Sequence, residues 1–388
     1  MKKKIVILGS TGSIGKATLN ILKRDKKKFN FILLSAKKNI KTLINQSKVF
    51  NVKNLIITDP NSYSIAKKIL SKKKINVFND YESFNKRNKY KIDYTMSAII
   101  GLDGLKPTLD AIKYSKKIAI ANKESLICAW DLIKKSLKKN KTDFIPVDSE
   151  HFSIWSLINE FRDNHIEKLI ITASGGPFLK RPLNNFKNIK LNAALNHPSW
   201  KMGKKISVDS ATMMNKVFEV IEAQRIFDID LKKIEIFIHP KSYVHSIIKF
   251  NNGLIKILIH DTNMKIPIFN TIYDQTDNKK IKTKDINFLS LNNLDLKKIN
   301  KKRYPVINLL KDINNKSSLF ETVLVSINDE LVNLFLEKKI QFIDISKNII
   351  KLSKLKVFNK YKNVKPSNFK EIAKLNNFVK LKVRSMYI

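Results

Sequence analysis

The chain has 388 residues, 43% of them hydrophobic, with 75 Lys and Arg against 33 Asp and Glu and a formal charge of +42. That length supports about two or three domains and a sizeable core, which excludes a disordered or disulfide-framed mini-protein. No apolar run approaches the roughly 20 residues of a membrane span, and the single cysteine, Cys128, excludes an internal disulfide. At the N-terminus, Met1-Lys-Lys-Lys leads into only Ile5–Leu8 before Gly9. This is too short for a signal peptide core and predicts a first β-strand and a cytoplasmic protein. The positive charge is spread along the whole chain together with many Asn and Ile, the pattern of composition drift on solvated faces. Basic runs such as Lys26–Lys28 and Lys72–Lys74 lack the interleaved aromatics of single-strand binding. Weak, salt-sensitive binding to polyanions is expected at this charge, but no specific nucleic-acid partner and no membrane partner.

In chain order, residues 1–145 alternate short β-like runs with helical stretches. Strands are predicted at 5–8, 29–34, 54–58, 94–99 and 117–121. This is the pattern of a parallel sheet with crossover helices, an α/β Rossmann-like domain. Residues 146–275 mix the signals, with strands predicted at 168–172, 234–238 and 255–260 and one helix over 207–227, an α+β central domain. Residues 276–302 are polar and poorly periodic and read as a connector. From 303 to 388 helical periods dominate, as in 319–336 and 343–352, predicting a small α-helical C-terminal domain.

Three segments carry candidate chemistry. Gly9-Ser-Thr-Gly12-Ser-Ile-Gly15 follows the first strand and opens a helix. Its glycines permit a tight turn and close backbone approach, and the helix start offers N–H groups to a pyrophosphate, so a dinucleotide is expected. At the end of the second strand stands Ser35-Ala-Lys37-Lys38-Asn39 without an acid. A carboxylate there would bind the ribose hydroxyl of NAD, whereas ammonium groups favour the 2′-phosphate of NADP.

Pro146-Val-Asp148-Ser149-Glu150-His151 sets two acids two residues apart. If the stretch is extended, both leave the same side with Ser149 opposite; in a turn the geometry is looser. Close anions repel unless a cation lies between them, so the pair suggests a divalent metal, and oxygen ligands suit Mg²⁺ or Mn²⁺. Glu219 is the candidate third carboxylate. It lies on the predicted 207–227 helix, where Thr212, Asn215, Lys216, Glu219 and Glu222 share one side. Met213, Met214, Val217, Phe218, Val220 and Ile221 form the opposite, core-facing side. His239 and His245 are ligands by type but, beside a strand and a proline turn, read as structural.

The motifs Gly9–Gly15, Ala121-Asn-Lys-Glu-Ser-Leu126, Pro146–His151, Ser174-Gly-Gly-Pro-Phe178, His197-Pro-Ser-Trp-Lys-Met-Gly203 and Ser207-Val-Asp-Ser-Ala-Thr-Met-Met-Asn-Lys216 occur in that order. Together they closely resemble the 1-deoxy-D-xylulose 5-phosphate reductoisomerase family over essentially the whole chain. The resemblance implies an NADPH- and divalent-metal-dependent enzyme of non-mevalonate isoprenoid precursor synthesis, a homodimer acting on a small phosphorylated sugar. It implies metal ligands at Asp148, Glu150 and Glu219. Nucleotide contacts would fall at Thr11, Gly12, Ser13, Ile14, Lys38, Asn39, Asn122, Glu124 and Gly203. Substrate contacts would fall at Lys123, Ser149, Glu150, Ser174, His197, Ser210, Asn215, Lys216 and Glu219, with Lys123, Glu150 and His197 in catalysis. Lys37 departs from the family, which usually has Gly there, next to the adenosine 2′-phosphate. The segment from about 174 to 204, with His197, Trp200 and Met202, is the expected lid over a reactive aldehyde. The alternative enzyme class is another NADP-dependent dehydrogenase of semialdehyde type, which needs no metal carboxylates. A basic nucleic-acid-binding protein is the non-enzyme alternative, and it leaves the motif series unexplained.

Overall fold

The computed structural model describes residues 2–158, 165–200, 202–273, 277–283 and 288–387. Lys201 of the His197–Gly203 motif, and residues 276 and 284–287 of the predicted connector, lie outside them. The chain forms two compact units that are not contiguous in sequence.

The first unit comprises Met1–Ser125, Asp131–Asp148 and Met264–Ile281. Seven strands build its sheet: β1 Lys3–Leu8, β2 Phe29–Ala36, β3 Asn54–Ile57, β4 Asn76–Phe78, β5 Ile92–Ser97, β6 Ser115–Ile120 and β7 Asp143–Pro146. Their spatial order is β4-β3-β2-β1-β5-β6-β7, with every described pairing parallel. Central strands of a parallel sheet are covered on both faces, which is why β1 ends in the uninterrupted run Ile5, Val6, Ile7, Leu8, all buried. The strands that the sequence pattern did not predict, β4 and β7, are the two edges. One is three residues long and the other ends in Pro146, a residue tolerated at an edge because it donates no ladder hydrogen bond.

Residues 264–281 complete this unit's core rather than lying with their sequence neighbours. The Lys265–Ile272 helix places Ile268 and Ile272 in the cluster that holds Ile5, Ile7, Leu19 and Leu22. Each such burial stabilises the fold by roughly 1.5–3 kcal/mol. The Tyr94 hydroxyl meets that of Thr271 at 2.8 Å, fastening the same helix to β5.

The second unit comprises Leu126–Trp130, Ser149–Asn263 and Lys282–Ile388. Its five strands are β8 Ile166–Ala173, β9 Ile234–Ile238, β10 Val244–Phe250, β11 Ile255–Ile259 and β12 Lys297–Lys298, ordered β11-β10-β8-β9-β12. Among the described residues only β8 and β9 pair in parallel in this sheet; the other pairings are antiparallel. β10, not predicted from sequence, is an interior strand buried along nearly its whole length. His245, Ser246 and Lys249 conceal its apolar pattern. The predicted 207–227 helix is two helices, Lys204–Thr212 and Met214–Phe227, separated by Met213 in the left-handed region at φ 69°. Helices Phe320–Leu336, Phe342–Ser353 and Phe369–Arg384 make up most of the C-terminal part. Gln341 and Asp344 form a reciprocal cap on the second, and Asn368 caps the third. Among the described residues no helix is long and apolar enough to cross a membrane.

Candidate active site

In the first unit, the turn after β1 is shaped by its main chain. Gly9 has φ +77°, and a Cβ there would lie 2.6 Å from the Ala98 carbonyl oxygen. A Cβ on Gly15 would collide with the backbone of Gly9 and Ser10. Gly12 is different: its added Cβ would approach nothing closer than the Gly9 oxygen at 3.4 Å, so the fold itself does not demand a glycine there. Gly12 begins the Ser13–Lys23 helix and gives it no side-chain cap, whereas Asn39 and Asn122 cap theirs. Thr11 and Ile14 are partly exposed and Ser13 exposed. The turn is anchored from below by residues the motif does not contain. Ser35 Oγ accepts from Gly9 N–H at 2.9 Å, and Gln46 exchanges hydrogen bonds of 2.8 and 2.9 Å with Ser10.

The end of β2 differs from its sequence reading. Lys37 and Lys38 have no acid in their own segment, but Asp103 stands 3.0 Å from Lys37 Nζ and Asp59 3.7 Å from Lys38 Nζ. Both carboxylates arrive from distant segments, a tertiary neighbour that a local pattern cannot show. Asp59 is also committed to capping the Pro60–Leu70 helix, and the Ser62 hydroxyl and N–H hold its carboxyl below the ordinary range. The Asn39 side chain accepts from Thr42 N–H at 3.1 Å.

Asn122 is buried, and its side chain is fully committed. It accepts from Ser125 N–H at 2.7 Å and donates to the carbonyls of Ile99 and Gly101. Lys123 then opens the Lys123–Asn140 helix, with Nζ 2.6 Å from Asp148, while Glu124 is buried in the same first turn.

In the second unit, Ser149 begins the Ser149–Ile158 helix, so the acidic pair does not lie on an extended strand. Asp148 precedes the helix and Glu150 sits in its first turn, where the backbone dipole favours an anion. Ser149 Oγ donates to Glu150 at 2.6 Å. On the Met214–Phe227 helix, the polar side is buried as well as the apolar one: Lys216, Glu219 and Glu222 are each 4% exposed or less. Thr212 lies on the other side of the Met213 break and is not on this helix.

Lys216 joins the acids. Its Nζ donates to Glu150 at 2.9 Å and to Glu219, whose other oxygen accepts from Asn215 Nδ2. Burial alone would depress the Lys216 pKa, but the Glu150 and Glu219 carboxylates outweigh it and raise it. Carboxylate oxygens of Glu150 and Glu219 lie within 4.8 Å of each other. Two anions so close, Glu219 buried and Glu150 partly so, require a cation between them, and here an ammonium supplies the charge.

Ser174 and His197 are also brought together, at 3.0 Å between Oγ and Nε2. Nδ1 of His197 accepts from the N–H groups of Ser199 and Trp200 at 3.1 and 3.0 Å. The ring proton therefore sits on Nε2 and is donated to Ser174. Burial pushes the His197 pKa down to about 4, so the neutral ring prevails at pH 7. Gly203 starts the Lys204–Thr212 helix with open space where a side chain would stand, and Ser210 lies near that helix's end, partly exposed.

His239, His245 and His260, outside these motifs, are packed into the structure. His239 Nδ1 bonds the Leu294 carbonyl, and His245 stacks on His260 with ring centroids 3.7 Å apart. Burial lowers the His245 pKa to about 3. His260 escaped the sequence reading because it lies at a strand end with no ligand-like spacing.

With this geometry in place, comparison with known proteins is informative. Sequence models of 1-deoxy-D-xylulose 5-phosphate reductoisomerase match residues 5–130, and models of its C-terminal domains match 144–227 and 260–381. The chain is 59% identical over 388 residues to the 1-deoxy-D-xylulose 5-phosphate reductoisomerase of Pelagibacter ubique, covering 100% of both. The structure of the enzyme from Zymomonas mobilis in complex with NADPH superposes with a TM-score of 0.87 at 32% identity, over 100% of this chain and 99% of that one. A reductoisomerase in complex with NADPH, fosmidomycin and magnesium gives a TM-score of 0.90 at 27% identity, over 99% and 98%. The chain belongs to the 1-deoxy-D-xylulose 5-phosphate reductoisomerase family.

Proposed function

We propose that this chain converts 1-deoxy-D-xylulose 5-phosphate to 2-C-methyl-D-erythritol 4-phosphate with NADPH and Mg²⁺ or Mn²⁺, in isoprenoid precursor synthesis. The observation that carries the chemistry is the buried Glu150–Lys216–Glu219 array, two carboxylates held around one positive charge. Relatives named for this reaction, and solved relatives holding NADPH and magnesium, support the same reading.

Asp148, Glu150 and Glu219 would hold the metal. They are an all-oxygen donor set suited to Mg²⁺ or Mn²⁺, and each already has a lysine ammonium against it where a cation would add charge. Bound there, the metal supplies Lewis-acid polarisation of the substrate carbonyl, worth roughly several kcal/mol. Thr11, Gly12, Ser13 and Ile14 would receive the NADPH pyrophosphate at the uncapped helix start. Lys38, Asn39 and Lys37 would face its 2′-phosphate. Asn122 can contribute only through its main chain, since its side chain is committed. Glu124 and Gly203 complete the nucleotide set.

Ser174, Ser210, Asn215 and Lys216 would bind the substrate phosphate through neutral donors and one ammonium. The rearrangement, a retro-aldol and aldol step, needs one hydroxyl proton taken and one returned. Glu150 is the acceptor, Lys123 the donor, and Ser149 steadies Glu150. Neutral His197 orients the substrate beside Ser174, and the segment carrying Trp200 and Met202 excludes water. We assign residues 1–145, joined by 264–281, to NADPH binding, 146–263 to catalysis, 282–302 to a connector and 303–388 to a helical domain, in a cytoplasmic homodimer. The dimer reading has one structural support: among the described residues β11 is a sheet edge, with Ile255, Ile257 and the preceding Leu254 exposed, an apolar edge that favours a second copy.

NADPH oxidation is measured with 1-deoxy-D-xylulose 5-phosphate, with and without Mn²⁺ and with NADH alongside. Metal-dependent turnover specific to NADPH is expected. No turnover from folded, NADPH-binding protein contradicts the reading and favours a dehydrogenase of semialdehyde type.

A further inference from the structure

The segment that begins the expected lid is tied down at several points by residues outside every motif. Tyr304 is fully buried and its hydroxyl donates to the Gly175 carbonyl at 2.7 Å. Burial holds its pKa up at about 12, so the hydroxyl remains a donor at neutral pH. Arg303 Nη1 donates to the carbonyls of Phe178 and Arg181 at 2.8 and 2.7 Å, and its guanidinium lies over the Phe186 ring at 5.5 Å. Phe178 and Phe186 pack on Phe342 of the Phe342–Ser353 helix, with centroids 5.1 and 6.3 Å away. Gly176 presses on the helix carrying Ser210, where a Cβ would meet the Ser210 carbonyl at 3.0 Å. Gly176 N–H also bonds Ser174 Oγ at 3.1 Å. One guanidinium, one phenol and an aromatic cluster thus fix the backbone that sets Ser174 beside His197 and Gly176 against Ser210.

We propose that Arg303 and Tyr304 are positioning residues for the substrate phosphate. They hold residues 174–186 as a fixed floor, so that the Ser174 hydroxyl is in place before the substrate arrives. The inference rests on the reading of Ser174 as a phosphate contact. A floor set by three main-chain hydrogen bonds fixes the donors in advance, so binding does not have to order them.

The test compares Tyr304→Phe, Arg303→Met and Ser174→Ala in the full chain at saturating Mn²⁺. KM for the sugar phosphate and for NADPH, kcat, inhibition by inorganic phosphate and Tm are measured. Tyr304→Phe removes one hydroxyl and keeps the ring. It is expected to raise the substrate KM and the phosphate inhibition constant together by about fivefold, with kcat and the NADPH KM within about twofold, the scale of one lost hydrogen bond. Arg303→Met is expected to raise both by about tenfold. An unchanged substrate KM in Tyr304→Phe, or a parallel rise in both KM values, overturns the floor while leaving the phosphate assignment intact if Ser174→Ala still raises the substrate KM. An unaffected Ser174→Ala overturns the phosphate assignment itself, and the inference with it. Trypsin gives a readout that needs no substrate. Within residues 174–205, first cleavage at Lys190, Lys204 or Lys205 is expected, and first cleavage at Lys180 overturns the fixed floor.

Discussion

The nucleotide turn of the first unit and the acid–lysine array of the second are built in opposite ways. The turn is main chain: glycines bring strand and helix close, and the fold leaves Gly12 with space it does not itself fill. The array is side chain: carboxylates and an ammonium are held together, two anions sharing one cation. A main-chain site is fixed by sterics and tolerates no Cβ where the backbone closes. A side-chain site is fixed by charge balance and fails when one partner is neutralised.

Glu219→Gln should have the largest effect. Removing one of three proposed ligands is expected to lower kcat/KM by about a hundredfold or more, with Mn²⁺ affinity falling in parallel. Full activity at limiting Mn²⁺ would remove Glu219 from the ligand set. Lys216→Met tests charge balance without metal. Two buried carboxylates lose their shared cation, a cost of about 3–5 kcal/mol, and added Mn²⁺ should raise Tm more in the variant than in the parent. Equal Mn²⁺ responses would mean that the array is not a cation site.

The two glycines separate packing from binding in the turn. Gly15→Ala collides with the backbone and should lower Tm by several degrees. Gly12→Ala, with ordinary contact distances, should leave Tm nearly unchanged and raise the NADPH KM about tenfold. Identical behaviour of the two variants would break the distinction.

His197 provides a pH readout. Its folded pKa, about 4, lies below the unfolded value near 6.5. The unfolded chain therefore takes up the proton first, and the contribution of the neutral ring to stability is present above pH 6.5 and is lost as pH falls toward 4. His197→Gln should flatten that part of a Tm–pH profile, and an unchanged slope would mean that another group carries it. The smallest effect is expected at Lys37, paired with Asp103 in full exposure. Lys37→Gly should shift the NADPH KM by less than about threefold.

These contrasts also explain what sequence could disclose. The glycine turn was legible because glycine spacing after a strand is local information, and the buried interior strands of the parallel sheet read as apolar runs. Its edges, β4 and β7, did not, because edge strands carry polar residues and a proline. The side-chain site was legible in its acids but not in its wiring. Helical periodicity extended one helix through Met213, whose left-handed φ no apolar pattern reveals. Nor could periodicity show that a polar face is buried, because Lys216 and Glu222 meet partners distant in sequence, Glu150 and His151. The return of residues 264–281 to the first core, and the arrival of Asp59 and Asp103 beside Lys38 and Lys37, are likewise tertiary facts.

The most direct test of two independently built sites is calorimetric titration of Mn²⁺ and of NADPH, separately, into the parent chain, Glu219→Gln and Gly12→Ala. Loss of Mn²⁺ affinity confined to Glu219→Gln, and loss of NADPH affinity confined to Gly12→Ala, is the expected result. Mn²⁺ binding that survives Glu219→Gln intact, or NADPH binding untouched by Gly12→Ala, would contradict it.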